Sequence, residues 1–212
     1  MKNEIIPGIL TQSRDELAHK LSQLTGLTHR VHIDIMDGIF VPHTTTSLED
    51  LQGLDTILDI ELHLMVVHPE RYLETAQKNL VRRVIVHVEA MQEPKSVLHE
   101  ISALGMKRGI AVSPETQLEK LFAVAPFADQ ITVMGVNPGA AGQALLPQTL
   151  SRVSNVHKAF PKIPLEIDGG MRTTNLTEAA QCGANLFVAN SSLFGSPNIE
   201  DTLRSLRRQI SE

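Results

Sequence analysis

The chain has 212 residues, 42% hydrophobic and 20% charged, which suits one globular domain, residues 1–212, with enough length to bury a substantial core. A formal net charge of −5 gives nucleic-acid binding no electrostatic support, and 3% aromatic content without Trp offers few stacking platforms. The single cysteine, Cys182, excludes an intramolecular disulfide and disfavours a cysteine-based zinc site.

The N-terminal Met-Lys-Asn-Glu-Ile-Ile-Pro lacks the apolar stretch of a signal peptide. No apolar run reaches the roughly 18 residues that span a bilayer. The expectation is a soluble cytoplasmic protein with no membrane partner.

In chain order, short apolar runs at 5–10, 31–36, 60–66, 84–87, 108–112, 130–134, 165–167 and 186–189 have the length of buried parallel strands. Between them lie stretches with helical spacing. Residues 13–24 place Leu17, Leu21 and Leu24 on one stripe. Residues 69–78 and 94–104 each open on Pro, which suits a first helical turn. Residues 148–159, 174–182 and 199–210 complete the predicted helices, while the stretches after the second and fifth strands are shorter. Eight strands alternating with helices predict an α/β fold, a single (β/α)8 TIM barrel. The structural alternative is an open doubly wound sheet, but no Gly-x-Gly-x-x-Gly fingerprint follows the first strand.

Barrel chemistry gathers at the carboxyl ends of the strands. The second strand runs Val31-His32-Ile33-Asp34-Ile35-Met36 and continues into Asp37-Gly38. A period of two puts His32, Asp34 and Met36 on the inner face and Val31, Ile33 and Ile35 against covering helices. The third strand offers His63 and Met65 on one face, and the seventh ends in Glu166-Ile167-Asp168-Gly169-Gly170. An inward charge is unfavourable unless paired or metal-bound. One such histidine alone would more often be a core residue. Four donors, His32, Asp34, His63 and Asp168, converging from three strand ends point to one divalent cation. Mixed nitrogen and oxygen donors suit Zn, Fe(II), Mn or Co better than Ca.

Other polar residues take quieter readings. Asp37, followed by Gly, shapes a loop. His87 and Glu89 share a face at the end of the fourth strand and read as support or packing. Cys182 reads as a small buried residue where a helix runs into a turn. Met36, Met65 and Met134 fall at strand ends, as gap-filling core or as an apolar wall that excludes water. The small-residue loop Gly139-Ala140-Ala141-Gly142 follows the sixth strand. With Gly169-Gly170 and Asn190-Ser191 it lies where barrels bind phosphate, although tight turns use the same residues.

These blocks, in this order, resemble the ribulose-phosphate 3-epimerases nearly end to end. The resemblance rests on His32-Ile-Asp-Ile-Met-Asp-Gly-Ile-Phe-Val-Pro42, His63-Leu-Met65, His87-Val-Glu-Ala90, Met134 with Asn137-Pro-Gly139, and Ile167-Asp-Gly-Gly170. It implies a metal held by His32, Asp34, His63 and Asp168. It also implies Asp34 and Asp168 as the acid–base pair that inverts C3 of a ketose phosphate through a metal-stabilised enediolate, with the three Met residues capping it. It further implies a homo-oligomer. The departures fall on substrate recognition. Gly8 stands where the family usually has Ser, Gly139-Ala140-Ala141-Gly142 replaces Gly-Phe-Gly-Gly, Asn190-Ser191 replaces Gly-Ser, and His43 replaces a common Asn. They keep two rivals open: a 3-epimerase for a ketohexose 6-phosphate such as allulose 6-phosphate, and a silent sugar-phosphate-binding barrel. A decarboxylase is disfavoured because no Lys occurs in residues 32–37 or 63–65.

Overall fold

Eight strands alternate with helices in the structure, a computed structural model describing residues 1–211. The strands are β1 (Glu4–Ile9), β2 (Arg30–Met36), β3 (Asp59–Met65), β4 (Arg83–His87), β5 (Lys107–Val112), β6 (Gln130–Met134), β7 (Leu165–Asp168) and β8 (Leu186–Ala189). Each pairs in parallel with the next. Ile5 lies opposite Phe187 and Ile6 opposite Val188, so β1 joins β8 and the barrel closes. Closure excludes the open sheet and establishes the (β/α)8 TIM barrel.

The surrounding helices are α1 (Arg14–Leu24), α2 (Leu73–Lys78), α3 (Pro94–Ala103), α4 (Leu118–Phe122), α5 (Thr149–Ala159), α6 (Leu176–Gln181), α7 (Ser191–Phe194) and α8 (Ile199–Gln209). α1 starts where Ser13 Oγ accepts the Glu16 N–H at 3.4 Å, a side-chain cap. Its Leu17, Leu21 and Leu24 join Val31, Ile33 and Ile35 of β2 in the main core. Burying each such side chain stabilises by about 1.5–3 kcal/mol, which orients β2 and leaves its alternate residues facing inward. α8 carries Glu200 and Asp201 in its first turn and Arg207 and Arg208 in its last, the arrangement that complements the helix dipole.

Some expectations need correction. β1 and β3 each begin and end one residue earlier than the apolar runs indicate. Residues 69–78 do not form one helix: a 3-10 turn, Pro69–Tyr72, precedes α2. His68, at φ 56°, turns the chain into it. After β2 there is only a 3-10 turn, Leu48–Leu51, and α4 after β5 has five residues. The four-residue α7 had no periodic apolar signal. Cys182 is half-buried at the end of α6 and packs on the rim of the core. No helix among the described residues is long and apolar enough to cross a membrane.

Candidate active site

Strand register stacks the inward residues in layers. His32 lies beside Glu61, Asp34 beside His63, and Met36 beside Met65. Asp168 lies beside Met134 on the far side of the barrel. Towards the mouth, β2 and β3 thus present Glu61 with His32, then Asp34 with His63, then Met36 with Met65, while β7 presents Glu166 below Asp168.

The four donors named from the sequence converge. His32 Nε2 lies 3.3 Å from Asp34 Oδ1 and 3.7 Å from Asp168 Oδ2. His63 Nδ1 lies 2.9 Å from Asp34 Oδ1 and 3.2 Å from Asp168 Oδ2. All four residues are buried, and their ligand atoms lie within 4.8 Å of one another. Donors about 2.0–2.1 Å from a tetrahedral cation stand roughly 3.3 Å apart, which these contacts bracket. His32 Nε2 is also buried without a hydrogen-bond partner, although an orphaned polar atom is destabilising. The donor set thus fits a metal ion.

Electrostatics agree with that fit. Burial opposes the His32 imidazolium, yet the adjacent Asp34 and Glu61 carboxylates and the charges of Asp168 and Glu166 raise its pKa well above the usual value. His63 shifts upward by the same balance, with burial opposed by Asp168 and Asp34. Burial likewise opposes the Asp34 carboxylate, and His32 and His63 outweigh it and lower its pKa. The negative potential that draws protons onto two imidazoles would equally draw a dication.

Each histidine is held from behind. His32 Nδ1 lies 3.0 Å from Glu61 Oε1. Glu61 in turn accepts from Arg83 at 3.0 Å and from Gln130 at 3.1 Å. His63 Nε2 lies 2.9 Å from His87 Nε2, and His87 Nδ1 lies 3.2 Å from Glu89 Oε2. Glu89 also accepts the Ser113 N–H at 2.9 Å, and its pKa is lowered to about 2 because His87 outweighs the effect of burial. Burial lowers the His87 pKa, which favours its neutral form. With a cation in place of the protons that the carboxylates attract, His63 Nε2–H would donate to His87, His87 Nδ1–H to Glu89 and His32 Nδ1–H to Glu61. His32 Nε2 and His63 Nδ1 would then face the site as lone-pair donors.

Sequence reasoning missed Glu61 and Glu166 as members of the interior network. Glu61 stands two residues before His63, and Glu166 two before Asp168, so the strand period carried the signal. Gln130 bridges them at 3.1 Å to each. Thr132 donates to Glu166 at 2.9 Å. Burial, then the Glu61 charge, raises the Glu166 pKa well above the usual value.

Above the donors opens a cleft lined by Asp34, Asp168, Met36, Met65 and Met134. Gly139, Ala140, Ala141, Gly142, Gly169, Gly170, Asn190 and Ser191 line the same cleft. Every residue marked for phosphate contact from the sequence thus faces the same space as the two aspartates. Gly169 and Gly170 adopt φ of 93° and 76°, which L side chains rarely do. A Cβ on Gly170 would come within 2.7 Å of Leu145 backbone atoms. The loop after β6 is fastened by Gln143, whose amide donates to the carbonyls of Asn137 and Ala140. Asp37 shapes the loop after β2 as expected, accepting from the N–H groups of Ile39, Phe40 and Val67.

Comparison with known proteins decides the family. The model of the ribulose-phosphate 3-epimerase family matches residues 4–194. The chain belongs to the ribulose-phosphate 3-epimerase family. Membership makes it a carbohydrate epimerase, an isomerase. It is 36% identical over 211 residues to the ribulose-phosphate 3-epimerase of Mycobacterium bovis, covering 97% of this chain and 92% of that one. It is 31% identical to the cytoplasmic isoform from Oryza sativa subsp. japonica, covering 98% and 94%. Solved barrels share the fold at low identity. One is a 3-hexulose-6-phosphate synthase from Salmonella typhimurium, with TM-score 0.75, 10% identity and coverage of 99% and 98%. Another is an orotidine 5'-phosphate decarboxylase from Pyrococcus horikoshii, with TM-score 0.72, 11% identity and coverage of 99% and 100%.

Proposed function

We propose that this epimerase inverts C3 of a ketose phosphate, interconverting D-ribulose 5-phosphate and D-xylulose 5-phosphate. The observation that carries the reading is the convergence of Asp34 from β2 and Asp168 from β7 on His63 Nδ1, at 2.9 and 3.2 Å. A C–H beside a ketone is a weak acid, so its removal needs a base in contact and stabilisation of the resulting enediolate. Inversion further needs a proton donor on the opposite face. Asp34, held as an anion, takes the proton in one direction, and Asp168 returns one from the other side. The roles exchange when the reaction reverses.

His32, Asp34, His63 and Asp168 would hold one divalent ion, Zn, Fe(II), Mn or Co by donor type. When bound, such an ion supplies Lewis-acid stabilisation of negative charge on substrate oxygens. Met36, Met65 and Met134 exclude water from the reacting carbon. Backbone N–H groups of residues 139–142, 169–170 and 190–191 serve the phosphate, which needs no net positive protein charge.

A second reading, a ketohexose 6-phosphate 3-epimerase, draws on Gly8 and Asn190, two departures from the family pattern that meet in space. Comparing turnover of D-ribulose 5-phosphate and D-allulose 6-phosphate separates the two. The expected result is a higher kcat/KM for the pentulose. A higher value for the hexulose would establish the second reading, and turnover of neither would overturn both.

A further inference from the structure

The space that a β1 side chain would take at Gly8 is held instead by β8. A Cβ at Gly8 would stand 2.6 Å from Val188 Cγ1 and 3.5 Å from Asn190 Cβ. Gly8 therefore gives room rather than a left-handed backbone, and Asn190 lies beside it. Asn190 occupies the N-cap position of α7 yet forms no side-chain cap hydrogen bond, although Asn is among the best capping residues. Its carboxamide is left for another partner, and Asn190 lines the cleft above the aspartates.

Its position along the cleft suggests the partner. On one side, Gly8 is in register with His32, at the level of the donor cluster. On the other, the adjacent Ser191 Oγ stands 3.9 Å from where a Gly142 Cβ would be, at the glycine loop. Asn190 thus neighbours Gly8 on the donor side and, through Ser191, the glycine loop on the phosphate side. An amide offers both a donor and an acceptor, as a sugar hydroxyl does.

We propose that Asn190 is a specificity-determining residue whose carboxamide hydrogen-bonds the hydroxyl-bearing carbon chain between the reacting carbon and the phosphate, and so sets the chain length accepted. The inference rests on the ketose-phosphate reading above. A 2-ketopentose 5-phosphate places one hydroxylated carbon between C3 and the phosphorylated carbon, whereas a 2-ketohexose 6-phosphate places two. A fixed amide on that span distinguishes them, because a polar group left unpaired by the wrong substrate penalises it.

The test is steady-state kinetics of the wild type, Asn190→Gly and Asn190→Asp on D-ribulose 5-phosphate and D-allulose 6-phosphate, with melting temperatures measured in parallel. Asn190→Gly is expected to change the ratio of the two kcat/KM values by about tenfold or more. The change should come mainly through KM of the preferred substrate, with kcat within about threefold. Asn190→Asp keeps the shape but removes the amide donor, and is expected to shift the ratio in the same direction even if the Gly variant is unstable. An unchanged ratio in both variants of an active enzyme, including a parallel fall on both substrates, would overturn the role of Asn190 alone. A wild type inactive on both phosphates would overturn the ketose-phosphate reading and this inference with it.

Discussion

Glu61 Oε1 lies 3.0 Å from His32 Nδ1, and that contact aims the opposite ring nitrogen at Asp34 and Asp168. The two residues sit on adjacent strands at the same level of the barrel, so sheet register fixes the pairing. Buried charge is tolerated only when paired. Glu61 meets that condition with His32, Arg83 and Gln130.

The two interior glutamates are expected to respond differently to neutralisation. Glu61→Gln removes the buried charge opposite half-buried Arg83 and should destabilise by about 3 kcal/mol, the lower end of the scale for a broken buried pair. Glu166→Gln imitates the neutral carboxyl that burial and the Glu61 charge favour. A raised native pKa means that stability is full below the unfolded value, about 4.3, and declines as pH rises towards the native one. Glu166→Gln removes that decline. It should match or exceed wild-type stability at pH 7 and gain on it as pH rises. Thermal melts across pH check both outcomes.

Asp34→Asn and Asp168→Asn should each lower kcat by roughly 10²–10⁴-fold, the scale of a lost acid–base group, with circular dichroism unchanged. Near-normal turnover in either variant would remove the two-carboxylate mechanism.

His87 acts on the site only through His63. His87→Asn is expected to weaken divalent-metal affinity about 10–100-fold, as loss of an outer hydrogen bond to a metal-binding histidine does. His87→Gln should retain more of it. Metal titration by calorimetry measures this directly, and wild-type affinity in His87→Asn would show that the ring merely fills space beside Phe40, 4.9 Å away.

On the outer surface, Arg108 grips Asp129 through two side-chain hydrogen bonds of 2.7 and 3.0 Å. Led by the Arg108 hydrogen bond, these contacts lower the Asp129 pKa to about 2. A depressed pKa contributes stability above the unfolded value, about 3.9, and loses it as pH falls through about 2. Asp129→Asn should lower the melting temperature by roughly 2–4 °C at pH 7, discounted from a buried pair because both groups are partly exposed. The difference from wild type should vanish near pH 2. A constant difference across pH would contradict the assignment.

Much of this was legible in the sequence because a strand has a period of two. Val31, Ile33 and Ile35 alternating with His32, Asp34 and Met36 fixed both faces of β2. The same rule placed His63, Met65 and Asp168. What periodicity could not give was depth. Glu61 and Glu166 share those inward faces, yet nothing in the spacing says that they form a polar floor beneath the site rather than a solvated rim. The helix at Ser191 was illegible for another reason: four residues cannot display a 3.6-residue period. The meeting of Gly8 with Asn190 depends on barrel closure between β1 and β8, a contact between chain segments some 180 residues apart that single-sequence patterns do not encode.

The most direct test of the central claim follows hydrogen at C3 by NMR. Metal-loaded and chelator-treated enzyme are incubated in deuterium oxide with D-ribulose 5-phosphate and, separately, D-allulose 6-phosphate. The expected result is metal-dependent deuterium incorporation at C3 of ribulose 5-phosphate, with xylulose 5-phosphate appearing, and none with Asp34→Asn. Enzyme with bound metal that exchanges C3 hydrogen on neither phosphate would contradict it.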